Sequence, residues 1–219
     1  MTFIKRLLWW ANLVGAAAYL IICGVLLTMG RPPYPGQAML LGQVAFGILA
    51  TLAPGFLERT FHFRFPEILV TIFYFFILTA VLLGTGMQFY NIPYWDKFLH
   101  LFSASMLAGL GLAIFGALLG RDQLRRTRPL LLALFAVAFG TMVGVLWEFY
   151  EFTGDGLLGL NMQRTMSGTH PLLGRLALMD TMGDLFADFG GSLLLGLLCY
   201  FGVKKDPAWL DTFMFEKSA

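Results

Sequence analysis

Long apolar runs dominate the pattern of this chain, and short polar breaks separate them. Six runs, over roughly 7–29, 38–57, 67–89, 97–120, 129–153 and 183–203, are long enough to span hydrocarbon. A helix needs about 20 residues at 1.5 Å rise to do so. The breaks have chemical causes. Arg31-Pro32-Pro33-Tyr34-Pro35-Gly36 cannot continue a helix. Pro54-Gly55 lies near the end of the second run, and Pro66 can open the third at an N-terminal helical position. Asn91-Ile92-Pro93 separates the third run from the fourth, and Pro129 opens the fifth after a basic loop. The pattern predicts an all-α fold: a polytopic membrane helical bundle of about six transmembrane helices, forming a single integral membrane domain over 1–219. The first run follows Lys5-Arg6 and holds Ala16-Ala17-Ala18, as a secretory leader would. It continues through Met29, longer than a leader needs, and reads as an uncleaved transmembrane helix.

Composition agrees. The chain is 58% hydrophobic and 13% charged, about half the charged fraction of a soluble domain. A net charge of +2 gives no footprint for nucleic acid. Cys23 and Cys199 each sit deep in an apolar run and read as small hydrophobes, not as a metal or disulfide framework. Charge also sets an orientation. With six spans the termini share a side, and that side holds eleven Lys and Arg against four on the other. Both termini are therefore expected to be cytoplasmic. The Arg125-Arg126-Thr127-Arg128 cluster reads as a topology determinant.

Three polar motifs interrupt this picture at the edges of the runs: Asp96-Lys97-Phe98-Leu99-His100, Trp147-Glu148-Phe149-Tyr150-Glu151 and Asp180-Thr181-Met182-Gly183-Asp184. Span order brings all three to the same extracytoplasmic layer. Asp96 and His100 are i, i+4; Glu148, Glu151 and Asp155 are i, i+3, i+7; Asp180, Asp184 and Asp188 are i, i+4, i+8. Each set thus shares a helical face. Carboxylates stacked in this way repel one another unless a proton or cation intervenes. Carboxylates with one His suit a divalent metal, whose identity the motif does not choose. The expected metal ligands are His100, Glu148, Glu151, Asp180 and Asp184, with Glu148 and Asp184 as catalytic candidates. Lys97, Arg164 and Arg175 are candidates for holding a substrate phosphate. Bland readings stand beside these. Acids at a helix start are favoured by the dipole, and Trp147, Tyr150, Trp95 and Tyr94 fit an interfacial aromatic belt. His170 reads as a solvated loop histidine, and the stretch 171–178 as a short helix on the outer leaflet.

At these motifs, over roughly 90–200, the chain resembles the YjdF-like bacterial inner-membrane proteins and, more distantly, the VanZ-like family. The shared pattern is Asp-Lys-x-x-His at a helix start, then Glu followed three residues later by Glu or Gln, then Asp followed four residues later by Asp or Asn. Here these are Asp96, Lys97 and His100; Glu148 and Glu151; Asp180 and Asp184. Glu151 and Asp184 stand where the VanZ-like pattern commonly has Gln and Asn, which makes this site more acidic. Asp155 and Asp188 lie outside the pattern. The resemblance implies a small multi-pass helical bundle in the bacterial cytoplasmic (inner) membrane, with a vague link to the envelope.

Three functions fit the sequence. One is a metal-dependent enzyme acting on a phosphate ester of a membrane lipid or lipid-linked envelope substrate. The second is an ion- or proton-coupled transporter. The third is a non-catalytic envelope binding or resistance module.

Overall fold

Hydrocarbon offers the backbone no hydrogen-bond partner, so apolar runs of this length must close their bonds internally as helices. The computed structural model, which describes residues 2–217, has this form. Its elements are α1 (Phe3–Thr28), α2 (Gln37–Phe61), α3 (Glu67–Ile77), α4 (Trp95–Leu119), the short α5 (Arg121–Arg126), α6 (Pro129–Leu158) and α7 (Met179–Lys205). Helix α3 passes directly into a π-helical stretch, Leu78–Gly86. Among the described residues, six helices are long and apolar enough to cross a membrane: α1, α2, α3 with its π-helical extension, α4, α6 and α7.

The ends differ in places from the sequence pattern. Helix α2 runs through Pro54 to Phe61, since one proline removes one backbone bond and need not end a helix. Helix α6 opens on Pro129 and reaches Leu158, where Gly159 (φ 64°) ends it in the left-handed region. Residues Gly174–Leu178 form a 3-10 turn that leads into α7, so Asp180 lies inside the helix.

The chain divides into two compact units. The first joins the chain up to Trp95 with the segment from Thr212 onward. Ala16, Tyr19, Cys23, Val44 and Leu82 form its core, and β1 (Phe63–Arg64) pairs antiparallel with the C-terminal strand Glu216–Lys217. The second unit, Asp96–Asp211, is built on α4, α6 and α7. These helices meet through missing side chains. A Cβ on Gly191 of α7 would strike the Leu101 carbonyl of α4. One on Gly140 of α6 would strike Ser192 and the Ala104 carbonyl, and one on Gly144 would strike the Asp188 carboxylate. Such contact lets polar groups on three helices reach one another.

Candidate functional site

The site lies at one end of the second unit, where the first turns of α4, the last turns of α6 and the first turns of α7 come together. Asp96, Lys97 and His100 come from α4. Lys97 extends across to α7, and its stem passes over Gly183, where a Cβ would lie 2.9 Å from the lysine Cε. Its ammonium donates to Asp180 Oδ1 at 2.6 Å, Asp184 Oδ2 at 2.8 Å, the Asp180 carbonyl at 3.2 Å and Asp96 Oδ2 at 3.3 Å.

His100 is buried between carboxylates on both ring nitrogens. Its Nδ1 faces Asp188, with Oδ1 at 3.2 Å and Oδ2 at 3.3 Å. Its Nε2 faces Asp184 Oδ1 at 3.5 Å and Asp96 Oδ1 at 4.0 Å. The Asp184 side chain is 1% exposed, yet its Oδ1 has no hydrogen-bond partner. Without a proton on His100 Nε2 or a cation between the two, a buried carboxylate oxygen facing this ring is costly. Asp96, His100 and Asp184 each offer one ligand atom, all within 4.8 Å of one another. Adjacent ligands around a tetrahedral ion with bonds near 2.1 Å stand about 3.4 Å apart. The His100–Asp184 separation of 3.5 Å matches that edge, and Asp96 is slightly wide of it. The Nδ1–Asp188 contact fits the carboxylate–histidine–metal arrangement, in which the outer carboxylate fixes the ring and frees Nε2. The residues present therefore fit a divalent ion.

Helix α6 supplies two more buried acids. Glu151 Oε1 accepts the Trp147 indole N–H at 2.9 Å. Glu148 Oε2 accepts from the Gln163 amide at 3.4 Å, which also donates to Thr181 Oγ1 at 2.9 Å. The other Glu148 oxygen is buried without a partner. Glu148 lies within electrostatic reach of His100 and Asp180.

The loop after α6 arches over this end. Asp155 pins it by accepting from the backbone of Met162 at 2.7 Å and Gln163 at 3.0 Å. Arg164 follows with φ 48°, a conformation that strains a residue bearing a side chain. Its half-exposed guanidinium lies 3.6 Å from Asp96 Oδ2 and 3.9 Å from Asp180 Oδ1. Arg175 is exposed on the 3-10 turn, and among the described residues no ion pair ties it to the cluster. His170 is exposed in a small hairpin beside Thr169.

Thus Asp96, Lys97, His100, Asp180, Asp184 and Arg164 are joined directly, and Glu148 is linked through Gln163 and Thr181. Glu151 is buried but bonds Trp147. Sequence reasoning did not assign Asp188, Gln163 or Thr181. The signal for Asp188 was present: Asp180, Asp184, Asp188 and Ser192 repeat every fourth residue along α7.

The family model described as "Predicted membrane protein (DUF2238)" matches residues 14–205. The chain belongs to that family, and the match takes in every residue of the cluster. No characterised protein and no solved structure matches the chain.

Proposed function

We propose that this is a multi-pass protein of the bacterial cytoplasmic membrane whose α4–α6–α7 end faces outward and holds one divalent cation. The site serves ester chemistry, a phosphate ester foremost, on a lipid or lipid-linked envelope substrate. The single observation that carries this reading is the buried Asp184 Oδ1, which accepts no hydrogen bond and faces His100 Nε2 at 3.5 Å. Asp96, His100 and Asp184 would hold the ion. A bound divalent ion supplies Lewis acidity, which polarises an ester and acidifies water.

The other roles follow from the contacts. In this role His100 donates its Nδ1–H to Asp188, which leaves the Nε2 lone pair free. Glu148, with one buried oxygen free, can accept a proton from water. Arg164 lies at the rim and is half exposed, so it can turn from Asp96 and Asp180 toward an anionic headgroup. An ion conduit is less well supported. Beyond Ser192 and Thr141, the buried interior of the unit is apolar among the described residues, with Leu112, Leu132, Ala136, Cys199 and Val203.

The test is elemental analysis of detergent-purified protein after loading with Mn²⁺ or Zn²⁺. One ion per chain is expected, lost in His100→Ala, and reporter fusions after residue 165 should lie outside. A wild-type chain that stays metal-free after loading, or a cytoplasmic residue 165, would overturn the reading.

A further inference from the structure

The Lys97 ammonium has the surroundings of a second bound cation. Four oxygens lie within 3.3 Å of Nζ, three of them from carboxylates. An ammonium has three N–H groups, so this donor set is saturated within the protein. Two of the carboxylates are shared between positions. Asp184 turns Oδ2 to Lys97 and Oδ1 to His100 Nε2. Asp96 likewise turns Oδ2 to Lys97 and Oδ1 to the same nitrogen. Two bridging carboxylates between two cation positions are the framework of a binuclear centre, in which a pair of ions clamps the reacting oxygens.

We propose that the site is a two-cation centre in which Lys97 is the permanent second cation, next to a single exchangeable divalent ion at Asp96, His100 and Asp184. This rests on the metal reading given above and adds to it the stoichiometry and the origin of the second charge. The physical reason is charge. Asp96, Asp184 and Asp188 meet the ring of His100, Asp180 meets Lys97 beside it, and one divalent ion leaves these four carboxylates negative. A tethered ammonium offsets one more charge and cannot diffuse away. Gly183 makes room for its stem, so the local motif Asp180-Thr181-Met182-Gly183-Asp184 serves the position of a lysine 83 residues earlier.

Removing the ammonium without filling its space should open the second position. In Mn²⁺ titrations followed by elemental analysis and electron paramagnetic resonance, the wild type should bind one ion. Lys97→Ala should bind two, with the broadened signal of a coupled pair. Lys97→Cys should behave like Lys97→Ala, and aminoethylation of that thiol, which rebuilds the ammonium, should return the stoichiometry to one. The native Cys23 and Cys199 are buried and leave the new thiol as the accessible target. Should Lys97→Ala fail to fold without metal, the proposal requires Mn²⁺ to restore the folded chain, and failure of that rescue overturns it. One ion in both wild type and Lys97→Ala, or one in the wild type and none in a folded variant, overturns the second position and leaves the metal reading intact. No ion in the wild type but one in Lys97→Ala would remove the metal reading and keep the cation position that Lys97 fills. No ion in either removes both.

Discussion

The two units bury polar groups in different ways. In the first, the buried polar side chains among the described residues are Asn12, Gln37, Thr51 and Thr79, all neutral. Most are stitched to nearby backbone. Asn12 donates to the carbonyls of Leu8 and Tyr74, Thr51 to Gly47 and Thr79 to Phe75, while Gln37 donates to the Tyr19 hydroxyl. In the second unit, five of the six buried polar residues are ionisable, and all five lie in one layer: His100, Glu148, Glu151, Asp184 and Asp188. Asn12 and Gln37 fasten one helix to another, and the two threonines bond back to their own helix. The charged groups of the second unit repel, and packing alone gives no reason to gather them. On the function proposed above, the second unit is the place where stability is traded for chemistry.

That contrast can be broken most decisively at Asp184. Asp184→Asn keeps the shape and the bond to Lys97, and it relieves repulsion. Divalent-ion affinity should fall by more than about 100-fold, beyond the usual effect of losing an outer partner. Melting temperature in detergent with chelator should stay the same or rise. A marked fall in chelator would mean that the acids are a structural network like the bonds of the first unit. Asp188→Asn should be milder, weakening ion binding about 10- to 100-fold by loosening His100, as isothermal titration would measure. In the first unit, Asn12→Leu should cost about 1 kcal/mol of stability by chemical denaturation and leave ion stoichiometry at the wild-type value. An effect on ion binding there would erase the distinction between the units. The smallest structural effect belongs to Arg164→Gln. Thermal stability and ion affinity should stay near wild type, while binding of vesicles rich in anionic phospholipid should weaken.

Much of this was legible before any coordinates. The six spans follow from apolar length, and the convergence of the three motifs follows from helical spacing and span order; the sequence did not single out Asp96 as a ligand, and Glu148, Glu151 and Asp180, which it did, lie outside the trio of Asp96, His100 and Asp184. What stayed hidden depends on contacts far apart in sequence. Lys97 reads locally as a partner for Asp96, its neighbour, and nothing in its surroundings predicts a reach to Asp180 and Asp184 on another helix. Asp188 reads as one more acid in a series until Gly144 lets α6 approach it and His100 turns Nδ1 toward it. Gln163 lies in a loop whose course is set by the two backbone bonds to Asp155, and loop paths leave no periodic trace. Local pattern determines which face a residue takes, while close packing determines what it meets there.

The carboxylates of α7 also bear on how the chain enters the bilayer. Within Gly174–Lys205, the 18-residue apolar stretch of this span has a mean hydropathy of 1.6, the lowest such value of the six. An acid at the centre of a lone helix costs about 2.5–3.5 kcal/mol at the insertion step, and the acids of α7, in its first turns, carry some part of that cost. The order of synthesis answers this difficulty: α4, with Lys97 and His100, emerges well before α7 does. The most reluctant of the six segments thus arrives after the other five, when its ammonium and imidazole partners have already been made. Insertion efficiency of α7 behind α4 and α6, compared with α7 alone in a neutral host, would measure how far a late helix depends on the earlier ones to enter lipid at all.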